Sequence, residues 1–328
     1  MVIPVVLVMG LVGILGSAEA QTRVYVSASA KTLGTSPFFA AAQQGFLEAE
    51  GLKVQMVYMR GAAPAVQALV GGSVQFSTGG VDAILEAADR GLPLAVIGGG
   101  LSRLTFAVVG AKGVRSFEDL RGKTLGASTL TSGSGLAFRW VLAANGLQYG
   151  KDYRLLNVGP SVEGFAALQT GQVAAGFLAL PLPFVLADQG YPILGWAADF
   201  VRDFQLTSIG VERRWAAANR PVVVGYLRGM VRTFQWYYQE REAVIAYLIK
   251  EFKLQPRYAE LGWDYYTKQD VWPRDGGVNV KGLENVIRIL AERDGRRPPL
   301  PGPERYLDLS YWQEAKQVSV EKAPGRER

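Results

Sequence analysis

From Arg23 to Gly210 short β-like runs alternate with amphipathic helical runs, and part of this pattern occurs twice at a fixed spacing. Leu69-Val70-Gly71-Gly72-Ser73-Val74 and Leu168-Gln169-Thr170-Gly171-Gln172-Val173 match in Leu, Gly and Val at an offset of 99 residues. In each, a helix ends at the Leu, a glycine breaks it, and a Val opens a strand. Gly51-Leu52 and Gly146-Leu147 form a second echo. Alternation of this kind predicts an α/β chain with mainly parallel sheets. The echo predicts two similar lobes whose strand-to-helix turns face each other, although generic helix–Gly–strand junctions would give the same letters.

The expected strands are Arg23 to Ser29, Lys53 to Met59, Val74 to Ser77, Leu94 to Gly98, Leu104 to Val109, Lys123 to Ala127, Tyr153 to Val158 and Val173 to Leu178. Between them the apolar spacing predicts helices over Phe38 to Glu50, Ala63 to Val70, Val81 to Arg90, Leu136 to Ala144 and Ser161 to Leu168. A further helix is started by Leu180-Pro181-Leu182-Pro183, with Pro placed where a missing N–H costs little. Val114 to Gly122 reads as a short Ser-capped turn. Beyond Pro221 the chain is helical, with Val223, Leu227, Met230, Phe234 and Tyr237 on one face, then Arg241 to Phe252 and Asn279 to Arg293. Pro298 to Pro303 reads as an extended linker, and the charged stretch Gln313 to Arg328 as frayed.

The turn Gly126-Ala-Ser-Thr-Leu-Thr-Ser-Gly-Ser134 is short, rich in hydroxyls and set between a strand and a helix. Its Ser and Thr side chains suit N-caps, and its glycines let backbone N–H groups approach a ligand. A helix N-terminus with free N–H groups attracts an anionic group. This turn is expected to form one jaw of a cleft, with Lys31 to Phe39 and Phe76 to Asp82 as the other. An ordinary capped helix start would look the same.

The chain contains no cysteine and no histidine. That removes disulfides, thiol nucleophiles, the commonest general base and the commonest transition-metal ligand. No cofactor and no metal site is expected. The apolar run Val5 to Leu15 followed by Ala18-Glu19-Ala20 fits a cleaved secretory leader over residues 1–20, although it lacks a basic n-region; a permanent membrane anchor over Met1 to Ala18 is the alternative, which Pro4, three glycines and the A-x-A tripeptide disfavour. A net charge of +6 is compatible with an anionic small molecule. Basic runs interleaved with aromatics, which nucleic-acid binding would need, are not found.

The residues Ser36-Pro37-Phe38-Phe39-Ala40-Ala41, then Gly45-Phe46-Leu47-Glu48-Ala49-Glu50-Gly51-Leu52, carry a resemblance to a known family. So do Ala68 through Gly72, Val81 through Gly91, and Ser116-Phe117-Glu118-Asp119-Leu120-Arg121-Gly122-Lys123. The chain resembles periplasmic substrate-binding proteins of ABC importers, in the nitrate/sulfonate/taurine group that also includes binders of thiamine and riboflavin precursors. The resemblance implies a two-lobed type II fold with two crossing strands as hinge. Lobe 1 would comprise 21–105 and 205–312, lobe 2 would comprise 106–204, and 313–328 would be a charged tail. It implies a periplasmic, monomeric protein that closes over a small solute, partnered by an inner-membrane permease, and no enzyme. A ligand-sensing receptor for a membrane sensor or a secondary transporter is the alternative.

By the same resemblance, ligand contacts come from turns at the strand C-termini: Ser36, Phe38, Ser77, Thr78, Gly79 and Asp82 in lobe 1, and Thr131, Ser132, Gly133, Ser134, Leu180 and Pro181 in lobe 2. Arg60 and Arg103 are candidate counter-charges, and Trp196 a candidate stacking ring. Asp82 is ambivalent, because it would repel an anion but would also stabilise the start of its own helix.

Overall fold

Val24, Val26 and Ala28 are buried at alternate positions, as the period of a strand requires. This strand belongs to the first of two sheets. The structure, a computed structural model, describes residues 21–59 and 61–321, with side chains through 317. The expected leader (1–20), Arg60 and residues 322–328 lie outside the described residues.

In chain order the strands are β1 (Thr22–Ala28), β2 (Leu52–Tyr58), β3 (Phe76–Gly80), β4 (Leu94–Gly99), β5 (Phe106–Gly110), β6 (Lys123–Ala127), β7 (Tyr153–Asn157), β8 (Ala175–Ala179), β9 (Ile193–Trp196) and β10 (Thr207–Glu212). The helices are α1 (Ser36–Gln43), α2 (Ala62–Val70), α3 (Val81–Asp89), α4 (Gly133–Ala144), α5 (Ser161–Gln169), α6 (Leu182–Asp188), α7 (Ala197–Phe200), α8 (Arg213–Ala218), α9 (Arg220–Gln239), α10 (Arg241–Phe252), α11 (Pro256–Lys268), α12 (Val280–Arg293) and α13 (Ser310–Glu321).

The strand orders are β2-β1-β3-β10-β4 and β7-β6-β8-β5-β9. In each sheet one strand runs against the rest, and in both cases it is the strand entering from the other lobe: β10 in the first, β5 in the second. The parallel strands therefore end toward the opposite lobe, which is where ligands sit in open α/β sheets. The 99-residue echo is the sequence trace of this duplication, since α2 and α5, and likewise β3 and β8, begin and end 99 positions apart. The crossings, at residues 100–105 and 201–206, are tied to each other. Leu206 N–H donates to Leu101 O at 2.8 Å, and Leu101 N–H to Thr207 Oγ1 at 2.8 Å.

Helix α12 straps both lobes. Its buried Leu283, Val286, Ile287 and Leu290 join one cluster with Ile84 and Leu85 of α3 and Leu136 and Phe138 of α4. Each such side chain contributes roughly 1.5–3 kcal/mol on burial. Its first turn seats on the crossings: Asn279 N–H donates to Gln205 Oε1 at 2.7 Å and Asn279 Nδ2 to Ser102 O at 3.0 Å.

Several sequence expectations shift. The helix expected over Phe38 to Glu50 ends at Gln43, because Gly45 takes φ +80° and a short 3-10 turn follows at Glu48–Glu50. The turn after Val114 is held by Asp119, whose carboxylate accepts from Arg115 N–H and Ser116 N–H at 2.8 and 3.0 Å, and no Ser caps it. Helices α8 and α11 were not foreseen. The stretch from Gln313, expected to fray, is helical through Glu321 in α13, anchored on α9 with Tyr311 and Ala315 buried.

Candidate functional site

At the end of β6 the chain turns through residues 128–132 and enters α4. Ser132 is extended at the N-cap, and its hydroxyl accepts from Gly135 N–H at 3.4 Å. The other hydroxyls join it in a row. Thr129 Oγ1 donates to Ser132 Oγ at 2.6 Å, and Ser134 Oγ lies 3.1 Å from Ser132 Oγ and 3.2 Å from Ser128 Oγ. The turn is tight enough that a Cβ on Gly135 would strike the Thr129 carbonyl. Gly133, the first helical residue, has an N–H with no partner inside its helix.

That N–H is taken from the other lobe. Asp82, in the first turn of α3, accepts from Gly133 N–H through Oδ2 at 2.7 Å. Charge-assisted bonds of this length are the strong kind. Burial pushes the Asp82 carboxyl above the ordinary Asp range. The Gly133 N–H opposes that shift, and the nearby Glu86 carboxylate adds to it. Gly79 lets β3 and α3 come close to the neighbouring strand, since a Cβ there would lie 2.6 Å from Ser29 Oγ.

A second contact flanks the first. Arg293 of α12 donates to Glu86 Oε1 at 2.6 Å and to the Thr131 carbonyl at 3.1 Å, joining α3 to the α4 turn. On the far side Leu180 of lobe 2 packs into the core of lobe 1 with Leu33 and Phe38. Trp196 lies between Phe184 and Tyr265 of α11, with ring centroids 5.5 and 5.0 Å away. Arg257 holds Asp188 with two bonds of 3.0 and 3.1 Å.

The structure thus brings Asp82 together with Thr131, Ser132, Gly133 and Ser134, while Gly79 lies against Ser29 near the end of β3. Leu180 and Pro181 stand at the neighbouring strand end, where Leu180 is buried and Pro181 precedes α6. Ser36, Phe38, Ser77 and Thr78 turn inward and are fully buried. Ser36 Oγ donates to Leu33 O and accepts from Tyr237 O–H, each at 2.7 Å. Thr78 Oγ1 donates to Ser27 O at 2.9 Å. Arg103 is half-buried near Tyr265. Sequence reasoning missed Ser29, Glu86 and Arg293. Glu86 sits four residues after Asp82, so helical spacing places it on the same face. For Arg293, over 200 positions from Glu86 along the chain, no local signal exists.

The NMT1/THI5-like family pattern matches residues 34–243. The chain belongs to the NMT1/THI5-like family. No curated protein sequence matches it. Among solved structures, the periplasmic nitrate-binding protein NrtA from Synechocystis PCC 6803 superposes with a TM-score of 0.74 at 15% identity, covering 93% of this chain and 92% of its own. The periplasmic aliphatic sulphonate binding protein SsuA from Escherichia coli gives 0.69 at 17% identity, covering 93% and 98%. DszB in complex with biphenyl-2-sulfinic acid gives 0.68 at 12% identity, covering 92% and 100%. At these identities the likeness concerns the fold: this family member has the two-lobed, type II periplasmic-binding-protein architecture, with two mixed five-stranded sheets flanked by helices. Among the described residues no helix is long and apolar enough to cross a membrane.

Proposed function

We propose that this NMT1/THI5-like protein is the periplasmic solute-binding component of an ABC importer. Its two lobes, 21–105 with 205–312 and 106–204, close over a small organic anion of the sulfonate or carboxylate type, or a heteroaromatic one. The observation that carries this reading is the Asp82 carboxylate on Gly133 N–H at 2.7 Å. The α4 turn receives an oxyanion from the facing lobe, with the hydroxyls of Ser132 and Ser134 alongside. The names of NrtA and SsuA, nitrate- and sulphonate-binding proteins, support the solute class.

In this reading Thr131, Ser132, Gly133 and Ser134 hold the head group, Gly79 and Asp82 belong to the facing wall of lobe 1, and Arg60 supplies a counter-charge. Arg103 and Trp196, both beside Tyr265 of α11, add a second counter-charge and a stacking ring. The solute leaves unchanged, and a membrane permease reads the closed form. The leader at 1–20 carries the chain to the periplasm, where it acts as a monomer.

A ligand that binds only the closed native form raises stability by RT ln(1 + [L]/Kd). A thermal-shift panel of alkanesulfonates, nitrate, aromatic carboxylates, pyrimidines and flavin precursors is therefore expected to single out one class. A flat response to the whole panel would overturn the solute class. Conversion of the bound compound during long incubation, seen by mass spectrometry, would replace the transport reading with an enzymatic one.

A further inference from the structure

We propose that Asp82 is an internal competitor for the ligand's anionic head: in the empty protein its carboxylate holds the Gly133 N–H and latches the lobes, and a bound oxyanion displaces it. The inference rests on reading the cleft as an anion site.

The contacts between the lobes differ in kind. Arg257 on Asp188 is a cation–anion pair, and Arg293, which pairs with Glu86 of its own lobe, donates across to the Thr131 carbonyl, an acceptor whose place on the guanidinium leaves the α4 amide untouched. The Asp82 contact is a carboxylate on a backbone amide. Any solute oxyanion can make that same bond. The groups acting on the Asp82 carboxyl are its own burial, backbone N–H groups and Glu86, with no Lys or Arg among them. Glu86 is itself engaged by Arg293 at 2.6 Å. Displacement therefore breaks no ion pair at Asp82 and returns a poorly solvated carboxylate to water.

The geometry leaves no room for both oxyanions on this amide. Asp82 Oδ2 sits on the Gly133 N–H at 2.7 Å, and a Cβ on Gly133 would lie 3.3 Å from the same oxygen, so the carboxylate fills the space beside this amide. The apparent affinity for an anion is then reduced by the fraction of molecules in which Asp82 occupies the site.

The absence of native cysteines allows two unique spin labels. Ala63→Cys and Val162→Cys place them at exposed, equivalent positions near the starts of α2 and α5, 99 residues apart. Pulsed electron–electron distances are measured on the mature, ligand-free protein. Asp82→Ala removes the acceptor. Gly133→Pro removes the donor at the first helical position, where Pro is tolerated, and the extended Ser132 before it suits a following Pro. Both substitutions are expected to lengthen the mean distance by several ångström and broaden it. Unchanged distances in both variants, or a parent already as open as they are, would overturn the latch.

Calorimetric titration with ethanesulfonate supplies the second arm. Asp82→Ala is expected to bind it roughly fivefold or more tightly than the parent. Weaker binding by that variant would make Asp82 a ligand contact and overturn the competition. Failure of ethanesulfonate to bind any form would count against the solute class proposed above, while the distances decide the latch independently.

Discussion

The turns after β1 and after β6 occupy equivalent places in the two sheets, and both carry Ser, Thr and one Leu. Their hydroxyls do opposite work. In lobe 1 Thr35 Oγ1 donates to Ala30 O at 2.9 Å, Ser36 is clamped between Leu33 O and Tyr237 O–H, and Trp272 Nε1 donates to Gly34 O at 2.9 Å. Helices α9 and α11 and the segment after α11 cover this turn, so its polar groups are consumed by the fold. In lobe 2 the hydroxyls bond to one another along an open edge, Thr131 is exposed, and the helix N–H is given to the facing lobe. Composition alone does not say whether a polar turn serves packing or a ligand. The elements that later cover it decide.

The largest expected effect in this comparison is Gly135→Val. Its Cβ meets the Thr129 carbonyl, a backbone atom with little freedom to move. Overpacking of this kind costs about 1–3 kcal/mol, and the upper end is expected in urea denaturation. A neutral result would mean the lobe 2 turn is looser than its hydrogen bonds imply.

Next comes Ser36→Ala. It leaves the buried Tyr237 hydroxyl without its acceptor, while the Leu33 carbonyl keeps the Ser36 N–H, for a loss of about 1–3 kcal/mol. Solute affinity should not change beyond that loss of folded protein. A selective loss of affinity at full stability would break the contrast between the turns.

Ser132→Ala is expected to cost about 1 kcal/mol as a lost N-cap. When combined with Ser134→Ala it should weaken the solute identified by thermal shift. Full affinity in the double variant would remove this turn from the site.

The smallest effect is a pH dependence. The folded-state pKa of Asp82 is raised, by burial first, with Glu86 on its own helix adding, Gly133 N–H from α4 opposing, and Arg293 of α12 facing it only through Glu86. The native state then binds more protons than the unfolded chain in the window above the ordinary Asp value of about 3.9. The Asp82 contribution is present below that value and is lost as pH rises through the raised folded value. Asp188 and Asp294, lowered by Arg257 and Arg293, act in the opposite direction, losing stability as pH falls. The quantity to measure is therefore the stability difference between the parent and Asp82→Asn. That difference should shift in favour of Asp82→Asn as pH rises across the window, and a difference independent of pH would refute the assignment.

Much of the architecture was legible in the chain. Period-two burial at Val24, Val26 and Ala28 and the spacing of Leu283, Val286, Ile287 and Leu290 are local signals, and both produced the element expected, whereas Gly51 closes only a 3-10 turn where one long helix was expected. Helix α11 escaped because Arg257-Tyr258-Ala259-Glu260 and Asp264-Tyr265-Tyr266 mix charge with aromatics, and its packing against α6 and α10 supplies what the pattern lacks. The α13 helix escaped for the same reason. Its charged surface reads as disorder until α9 covers Tyr311 and Ala315.

The site divides along the same line. The sequence by itself determined the duplicated α/β plan, the hydroxyl-rich α4 turn and the free amide at its helix start, because backbone geometry and capping depend on neighbours a few residues apart. Only the tertiary structure decided that Asp82 meets Gly133, that Arg293 bridges Glu86 and Thr131, and that Ser36 is lost to the core. Each of those outcomes depends on which surfaces the crossings and α12 bring together, and short-range spacing carries no record of contacts closed by long loops.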